Sequence, residues 1–375
     1  MKVLVFSPPF IGHFGVLKRM IHKYHQVEFK LAYTTWTNLL VEGEINLARS
    51  ELKESLPANW TFPRVRELYE DCLNLAQEFL PDLIIYDFFS LEGHFVSHKL
   101  KIPCCCSIPS YIGANDLDKD IRRIVSENEV KDLFGELYED FSFSVDRLEW
   151  IADGLHIPGD INIVWTYPSL VVDDFAAGRK LLDSYRFVGN FSNRIQGNRT
   201  HILISFGTVI MGNLWSKKLE IQSGMREFIQ ELARLASNEN ILFVTQGRHI
   251  LDEYPKSWTV VNSIDQPRML ANSEMFITHG GSNSFHESVV QKTPMVAIPF
   301  NGDQHLVAAT IDNKGLGTSI ALHHSIEVDS EWNFLNSELA HKVIDSIDYI
   351  RRHMKQIEQN YEDLSLEPDS LSELF

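Results

Sequence analysis

Short apolar runs alternate with stretches of helical periodicity along this whole chain, and the alternation starts afresh midway. VLVF (3–6), VEFKLAY (27–33), PDLIIYD (81–87) and IPCCCSI (102–108) read as strands. They are largely continuous apolar runs, as in strands buried on both faces. A helix fits from about Gly15 to His25, and another places Val65, Leu68, Cys72, Leu75 and Phe79 on one face. Repeated β-α-β units imply a parallel sheet with helices on both faces, because parallel neighbours must be joined by a crossover. Residues 114–150 are rich in charge and read as one or two surface helices. After YRFVGN (185–190), the polar stretch FSNRIQGNRT has no periodicity and reads as a linker. HILISFG (201–207) then restarts the pattern, and Ile221, Met225, Phe228, Ile229, Leu232, Leu235 and Ala236 line one face of the next helix. ILFVTQG, WTVVN, MFITHGG and PMVAIPF are further strands.

The expected fold class is therefore α/β, with two Rossmann-like, doubly wound domains facing across a cleft. A chain of 375 residues is too long for one ordinary core. The expected boundaries are 1–190 for the first domain, 191–200 for the linker and 201–347 for the second domain. Residues 348–375 form a C-terminal helix and acidic tail, with the option of packing back on the first domain. Ligands of such sheets bind at the C-terminal ends of the strands, here in the cleft.

Composition narrows the function. A net charge of −17 disfavours a nucleic-acid or anionic-membrane partner, which needs clustered Lys and Arg. A small anionic ligand stays open. The N-terminal MKVLVFSPPF reads as a first buried strand rather than a signal peptide. No run reaches the ~18 apolar residues of a membrane span. A cytoplasmic location without a membrane span is expected. Cys104, Cys105 and Cys106 are consecutive, so neighbours point to opposite faces of a strand, and a reduced buried strand is expected. Sequons at Asn59, Asn190 and Asn198 carry little weight without a secretory signal.

The densest polar stretch is THGGSNSFHES (278–288), which follows a strand and opens a helix. It falls one residue short of a G-x-S-x-G elbow, because Ser284 stands in place of the second Gly, and Val290 breaks the zinc pattern begun by His286 and Glu287. The glycine pair Gly280 and Gly281 allows close approach of a ligand, and a helix starting near Ser282 presents free N–H groups to an anion. His279, Asn283 and Ser284 can donate to phosphate oxygens, while Glu287 can accept from a diol such as ribose. Anion donors with a diol acceptor suggest a nucleotide. Ser284 and Glu287 also have the spacing of a capping box, and this stretch alone leaves both readings open. His286 is expected on the far side of the helix, without a task.

From Thr278 through HGGSNSFHESVVQKTPMVAIPFNGDQHLVA to Ala308, the chain resembles the inverting UDP-sugar glycosyltransferases of the GT-B fold. ISFGT (204–208) and FIGHFG (10–15) extend the resemblance to the first turn of each domain. The resemblance implies an acceptor-binding first domain and a nucleotide-sugar-binding second domain. It implies that Thr208 and His279 face the diphosphate, joined by Asn283 and Ser284 where Gly281 and Ser282 lead into the helix. Glu287 would hold the ribose hydroxyls, favouring UDP over dTDP. Asp303 and Gln304 would bond hydroxyls of the transferred sugar, with Gln304 leaning towards glucose. Gln266 fits the family's aromatic-x-Pro-Gln pattern, but Ser263 replaces the aromatic that stacks on the base and Asp265 replaces Pro.

By the same resemblance His13 is the general base, a role imidazole suits near neutral pH. Asp87, ending the strand LIIYD, would orient it as triad carboxylates do. Their bland readings are a loop histidine and a helix N-cap. The implied partners are a UDP-sugar donor and a small, apolar acceptor bearing a hydroxyl. No cofactor or metal is called for: the run Asn115-Asp116-Leu117-Asp118-Lys119-Asp120 fits a solvated helix face better than a metal site. Two other functions remain open, a nucleotide-sugar-binding subunit without activity and a dinucleotide-dependent dehydrogenase.

Overall fold

The computed structural model describes residues 1–34, 39–41, 63–109, 111, 149–151, 154–171, 184–300, 302–320 and 334–375. The chain divides into two compact units, Met1–Phe191 with Glu367–Phe375, and Ser192–Leu366.

The first unit is built on a seven-stranded sheet of order β3-β2-β1-β4-β5-β8-β9. Its strands are β1 (Lys2–Ser7), β2 (Glu28–Thr34), β3 (Leu39–Val41), β4 (Leu83–Asp87), β5 (Cys104–Ile108), β8 (Ile161–Val164) and β9 (Tyr185–Phe187). All pair in parallel except β3, which runs antiparallel to β2. Helices α1 (Ile11–Lys23), α2 (Pro63–Phe79) and α3 (Glu92–Leu100) accompany the sheet, and β6 (Glu149–Ile151) with β7 (Gly154–His156) forms a separate hairpin. Two cores result from the alternation of side chains along the strands. Leu4, Phe6, Ile84, Cys104 and Cys106 lie in one; Val3, Val5, Ile85 and Cys105 lie in the other. The three consecutive cysteines are free and buried, and burial pushes their thiols up, away from the reactive thiolate.

The last residues complete this unit. Asp369 donates its N–H to Phe187 O at 2.7 Å and accepts the Phe187 N–H at 2.7 Å, while Leu371 is buried in the second core. Phe375 packs on Tyr24, with ring centres 4.6 Å apart.

The second unit has a fully parallel six-stranded sheet of order β12-β11-β10-β13-β14-β15. In chain order it contains β10 (His201–Ser205), a π-helical turn (Val209–Leu214), α4 (Leu219–Leu235), β11 (Ile241–Val244), β12 (Trp258–Val261) and α5 (Gln266–Ala271). Then follow β13 (Ser273–Thr278), α6 (Ser282–Gln291), β14 (Met295–Ala297), α7 (Gln304–Asn313), β15 (Gly317–Ser319) and α8 (Ser337–Asp363). The apolar face expected on α4 is buried through Ile221, Met225, Phe228, Ile229 and Leu232. FSNRIQGNRT is irregular, as its composition suggests, and is pinned to this unit where Gln291 accepts from Ile195 N and donates to Asn193 O.

One helix start differs from the sequence reading, and the last helix, expected over about 335–361, is found where it was read. Helix α1 begins at Ile11, so FIGHFG forms its first turns rather than a loop. Gly12 and Gly15 each cost about 1 kcal/mol in a helix, which the burial of Val16, Leu17 and Met20 outweighs. Helix α8 begins at Ser337, capped by Asn336 Oδ1 on Leu339 N, and runs unbroken through residue 347. Asn190 is buried rather than displayed. The readings placed on Asn59, on most of 114–150 and on Asn115–Asp120 lie outside the described residues.

Candidate functional site

In the second unit, β10 and β13 are neighbours, with Ser205 opposite Thr278. The two strands therefore end side by side, one leading into FGT and the other into HGG. Gly207 takes φ +68° and Gly280 φ +81°, conformations that L side chains rarely adopt. The His279 ring lies against two glycines. A Cβ on Gly207 would stand 2.4 Å from its Cε1, and one on Gly281 2.5 Å from its Nε2. His279 is 7% exposed, and its Nδ1 has no hydrogen-bond partner among the described residues. Burial lowers its pKa to about 4, against a smaller opposing effect of the Ser205 backbone, so the imidazole is neutral at pH 7.

Helix α6 has Gly281 as its N-cap residue, at φ −62° and ψ 138°, and no side chain caps it. The first helical bond runs from Phe285 N to Gly281 O at 3.0 Å, which leaves the N–H groups of Ser282, Asn283 and Ser284 without intrahelical acceptors. The capping-box reading fails, since Ser284 is the third residue of the helix. Its Oγ instead accepts from Gln266 Nε2 at 3.0 Å. The same amide donates to Glu287 at 2.8 Å, and Asn283 Nδ2 donates to the other Glu287 oxygen at 3.1 Å. Two amides thus hold a carboxylate that is only 4% exposed. Asn283, expected on phosphate, spends this side-chain contact on Glu287. His286 is not idle: it is buried, and its Nδ1 donates to Ser282 O at 2.7 Å.

Gln266 opens α5, where Asp265 stands in place of the family's Pro. Asp265 acts as a helix cap, accepting from Arg268 N at 3.4 Å. Ser263 is exposed just before it. Thr208 is exposed where β10 leads into the π-helical turn. Asp303 is the N-cap residue of α7. The Gln304 carbonyl lies 3.3 Å from where a Cβ on Gly280 would stand, so the start of α7 adjoins the HGG turn. Gln304 Oε1 accepts from Phe300 N at 2.9 Å. The expected donor residues of this unit therefore gather at the C-terminal ends of β10 and β13 and the starts of α5, α6 and α7.

In the first unit, His13 stands in the first turn of α1 and Asp87 at the end of β4. His13 Nδ1 lies 3.1 and 3.0 Å from the two Asp87 oxygens. Asp87 is fully buried and also accepts from Phe89 N at 2.9 Å. It is not an N-cap, since α3 starts at Glu92 after Leu91. A carboxylate on Nδ1 fixes the tautomer with its proton there, leaving the Nε2 lone pair to accept a proton. The ring is framed by Phe89, stacked with centres 5.0 Å apart, and by Phe10, edge-on at 5.6 Å. The FFS stretch after Asp87 is part of the family resemblance in the sequence, but no packing role on the His13 ring was read there for Phe89 or for Phe10.

Among the described residues, no three His, Cys, Asp or Glu side chains are grouped to hold a metal ion, and no helix is long and apolar enough to cross a membrane.

The family model described as "UDP-glucoronosyl and UDP-glucosyl transferase" matches residues 163–350. NDP-glycosyltransferase YjiC of Bacillus subtilis (strain 168) is 29% identical over 286 residues, covering 72% of this chain and 64% of that protein. The uncharacterized UDP-glucosyltransferase YojK of the same organism is 24% identical over 267 residues, covering 64% of this chain and 60% of that protein. The matched region thus spans less than two thirds of either relative. Among solved structures, Os79 from O. sativa in complex with UDP superimposes with a TM-score of 0.62 at 14% identity, covering 96% of this chain and 94% of that one. The glycotransferase of kitacinnamycin gives 0.65 at 14% identity, with 96% and 93% covered. At such identity these two establish the fold alone, which is α/β of the GT-B class.

Proposed function

The chain belongs to the UDP-glucuronosyl and UDP-glucosyl transferase family, and from that premise we propose that it moves a sugar from a UDP-sugar to a hydroxyl of a small, apolar acceptor, with inversion. Glucose is the favoured sugar and the cytoplasm the favoured location. The observation that carries the donor assignment is the uncapped start of α6, with the Nε2 edge of the His279 ring against its N-cap residue Gly281. A helix N-terminus with free N–H groups favours an anion.

In this reading the diphosphate lies on the N–H groups of Ser282, Asn283 and Ser284, against His279 and Thr208. Glu287, fixed by Gln266 and Asn283, accepts from the ribose hydroxyls. Asp303 and Gln304 bond the sugar. His13 Nε2 takes the proton of the acceptor hydroxyl while its oxygen attacks the anomeric carbon. The bond from that carbon to the diphosphate oxygen breaks on the opposite face, which inverts the centre. Asp87 stabilises the imidazolium that forms. The leaving diphosphate is received by fixed N–H dipoles, so the proposed reaction asks for no metal.

The test has two parts. UDP at millimolar concentration should raise the melting temperature; no shift would sink the donor site. UDP-glucose with a panel of phenols, sterols and macrolides should give new glycosides by mass spectrometry. His13→Ala should abolish them while UDP still binds; loss of binding as well would make His13 a structural residue.

A further inference from the structure

The turn that carries Thr208 is held from outside. After β10 the chain passes Gly207 and Thr208 and enters the π-helical turn Val209–Leu214. A π-helical turn is a rare, less stable winding that persists where something else supports it. The support here is Arg248. Its Nε donates to Met211 O at 2.7 Å and its Nη2 to Gly212 O at 3.0 Å. One planar guanidinium thus bonds two successive carbonyls of the turn, a geometry a single ammonium cannot reproduce. Arg248 is itself aimed. It follows Gln246 and Gly247, both left-handed at φ +56° and +77°, and its own N–H bonds Thr245 O at 3.0 Å just beyond β11. Arg226 Nε secures the far side of that loop on Ile250 O at 3.0 Å.

We infer that Arg248 is a positioning residue for donor binding: it fixes the π-helical turn and thereby Thr208 and Gly207, the latter lying against His279. Arg248 touches no reacting atom. The inference rests on the donor site proposed above and adds a residue to its machinery. Removing the guanidinium leaves Met211 O without its arginine donor and Gly212 O with only the longer bond from Ser216 Oγ at 3.4 Å; the turn can then rewind, which displaces Thr208 from the diphosphate. The effect should fall on donor binding, since His13 and Asp87 belong to the other unit.

The experiment measures UDP affinity by calorimetry, and donor KM with kcat, for the full chain. Wild-type UDP binding is established first; its absence would refute the donor site itself, separately from Arg248. Arg248→Ala is expected to weaken UDP about tenfold, a change of about 1.4 kcal/mol, and to raise donor KM in parallel, with kcat at saturating donor within about twofold. Arg248→Lys restores one bond and should recover roughly a third of the affinity lost on a logarithmic scale. Arg351→Ala is the control. Arg351 pairs with Glu239 and Glu274 in the same unit, away from the turn. It should lower the melting temperature and leave donor KM unchanged. If Arg248→Ala binds UDP within twofold of wild type, or if Arg351→Ala raises donor KM equally, the inference is overturned. Should Arg248→Ala fail to fold, the same comparison is made with Arg248→Lys and Arg248→Gln, which must weaken UDP in that order.

Discussion

Acid should destabilise the second unit, and His279 should account for a separable part of the loss. Its folded pKa is about 4, against 6.5 for an unperturbed histidine. The folded value is the lower one, so the unfolded chain takes up the proton first as pH falls. The stability that His279 contributes by staying neutral is therefore complete above about pH 6.5 and is lost as pH falls from there to about 4. At 1.36 kcal/mol per unit, the loss amounts to about 3 kcal/mol, an appreciable share of the ~5–15 kcal/mol that a domain holds. Global unfolding of a two-unit chain need not be two-state. Native-state hydrogen exchange of amides in β10 and β13, beside the ring, is the better assay. Between about pH 7.5 and pH 4, protection there should fall by about 3 kcal/mol more in wild type than in His279→Gln. The His279 Cε1 proton, followed by NMR, should show no titration until well below pH 6. A midpoint near 6.5 would refute the burial argument. Ligand enters the same linkage. A diphosphate beside the ring favours imidazolium and raises the pKa, so UDP-glucose binding should take up a proton in mildly acidic solution, and its affinity should rise as pH falls through the bound-state pKa. Calorimetry in two buffers of different ionisation enthalpy reads that uptake directly.

Three further outcomes are expected. Gly281→Ala suits the backbone at φ −62° but puts a methyl 2.5 Å from His279 Nε2, so the ring must move; urea unfolding should show a loss of about 1–3 kcal/mol, and thermal shift a weaker response to UDP. Asp87→Asn keeps the size of the side chain but no longer fixes Nδ1–H on His13, so kcat should drop by about a hundredfold or more with UDP affinity unchanged; a drop of less than threefold would remove Asp87 from the mechanism. Glu287→Gln should weaken UDP more than dUDP, because dUDP lacks the 2′-hydroxyl and keeps only its 3′-hydroxyl to donate to the carboxylate; equal weakening of both would mean that Glu287 serves the turn rather than the ribose.

What was legible in the sequence, and what was not, follows from the range of the forces involved. Strands such as LIIYD and HILIS announce themselves because both faces of a parallel sheet are covered, so nearly every position is apolar. THGGSNS was legible as a strand-to-helix turn because the turn needs glycine where it must leave room for the His279 ring, and small polar residues where the helix starts. The start of α1 was hidden because two glycines within its first turns mask a helix that tertiary burial sustains. The absence of Pro at Asp265 was visible, but its resolution was not. Capping depends on where α5 begins, and a short helix of six residues leaves no periodic signal. Arg248 is the extreme case. Its partners are main-chain carbonyls 37 and 36 residues away, in a turn whose winding no side-chain pattern encodes. Nothing in VIMGNL distinguishes a π turn from an α turn; the distinction comes from an arginine on the neighbouring strand's loop. A site read from local spacing is therefore read without the contacts that hold it in place: Gln266 was visible as a residue but not as the amide that holds Glu287, and Arg248 was not visible at all.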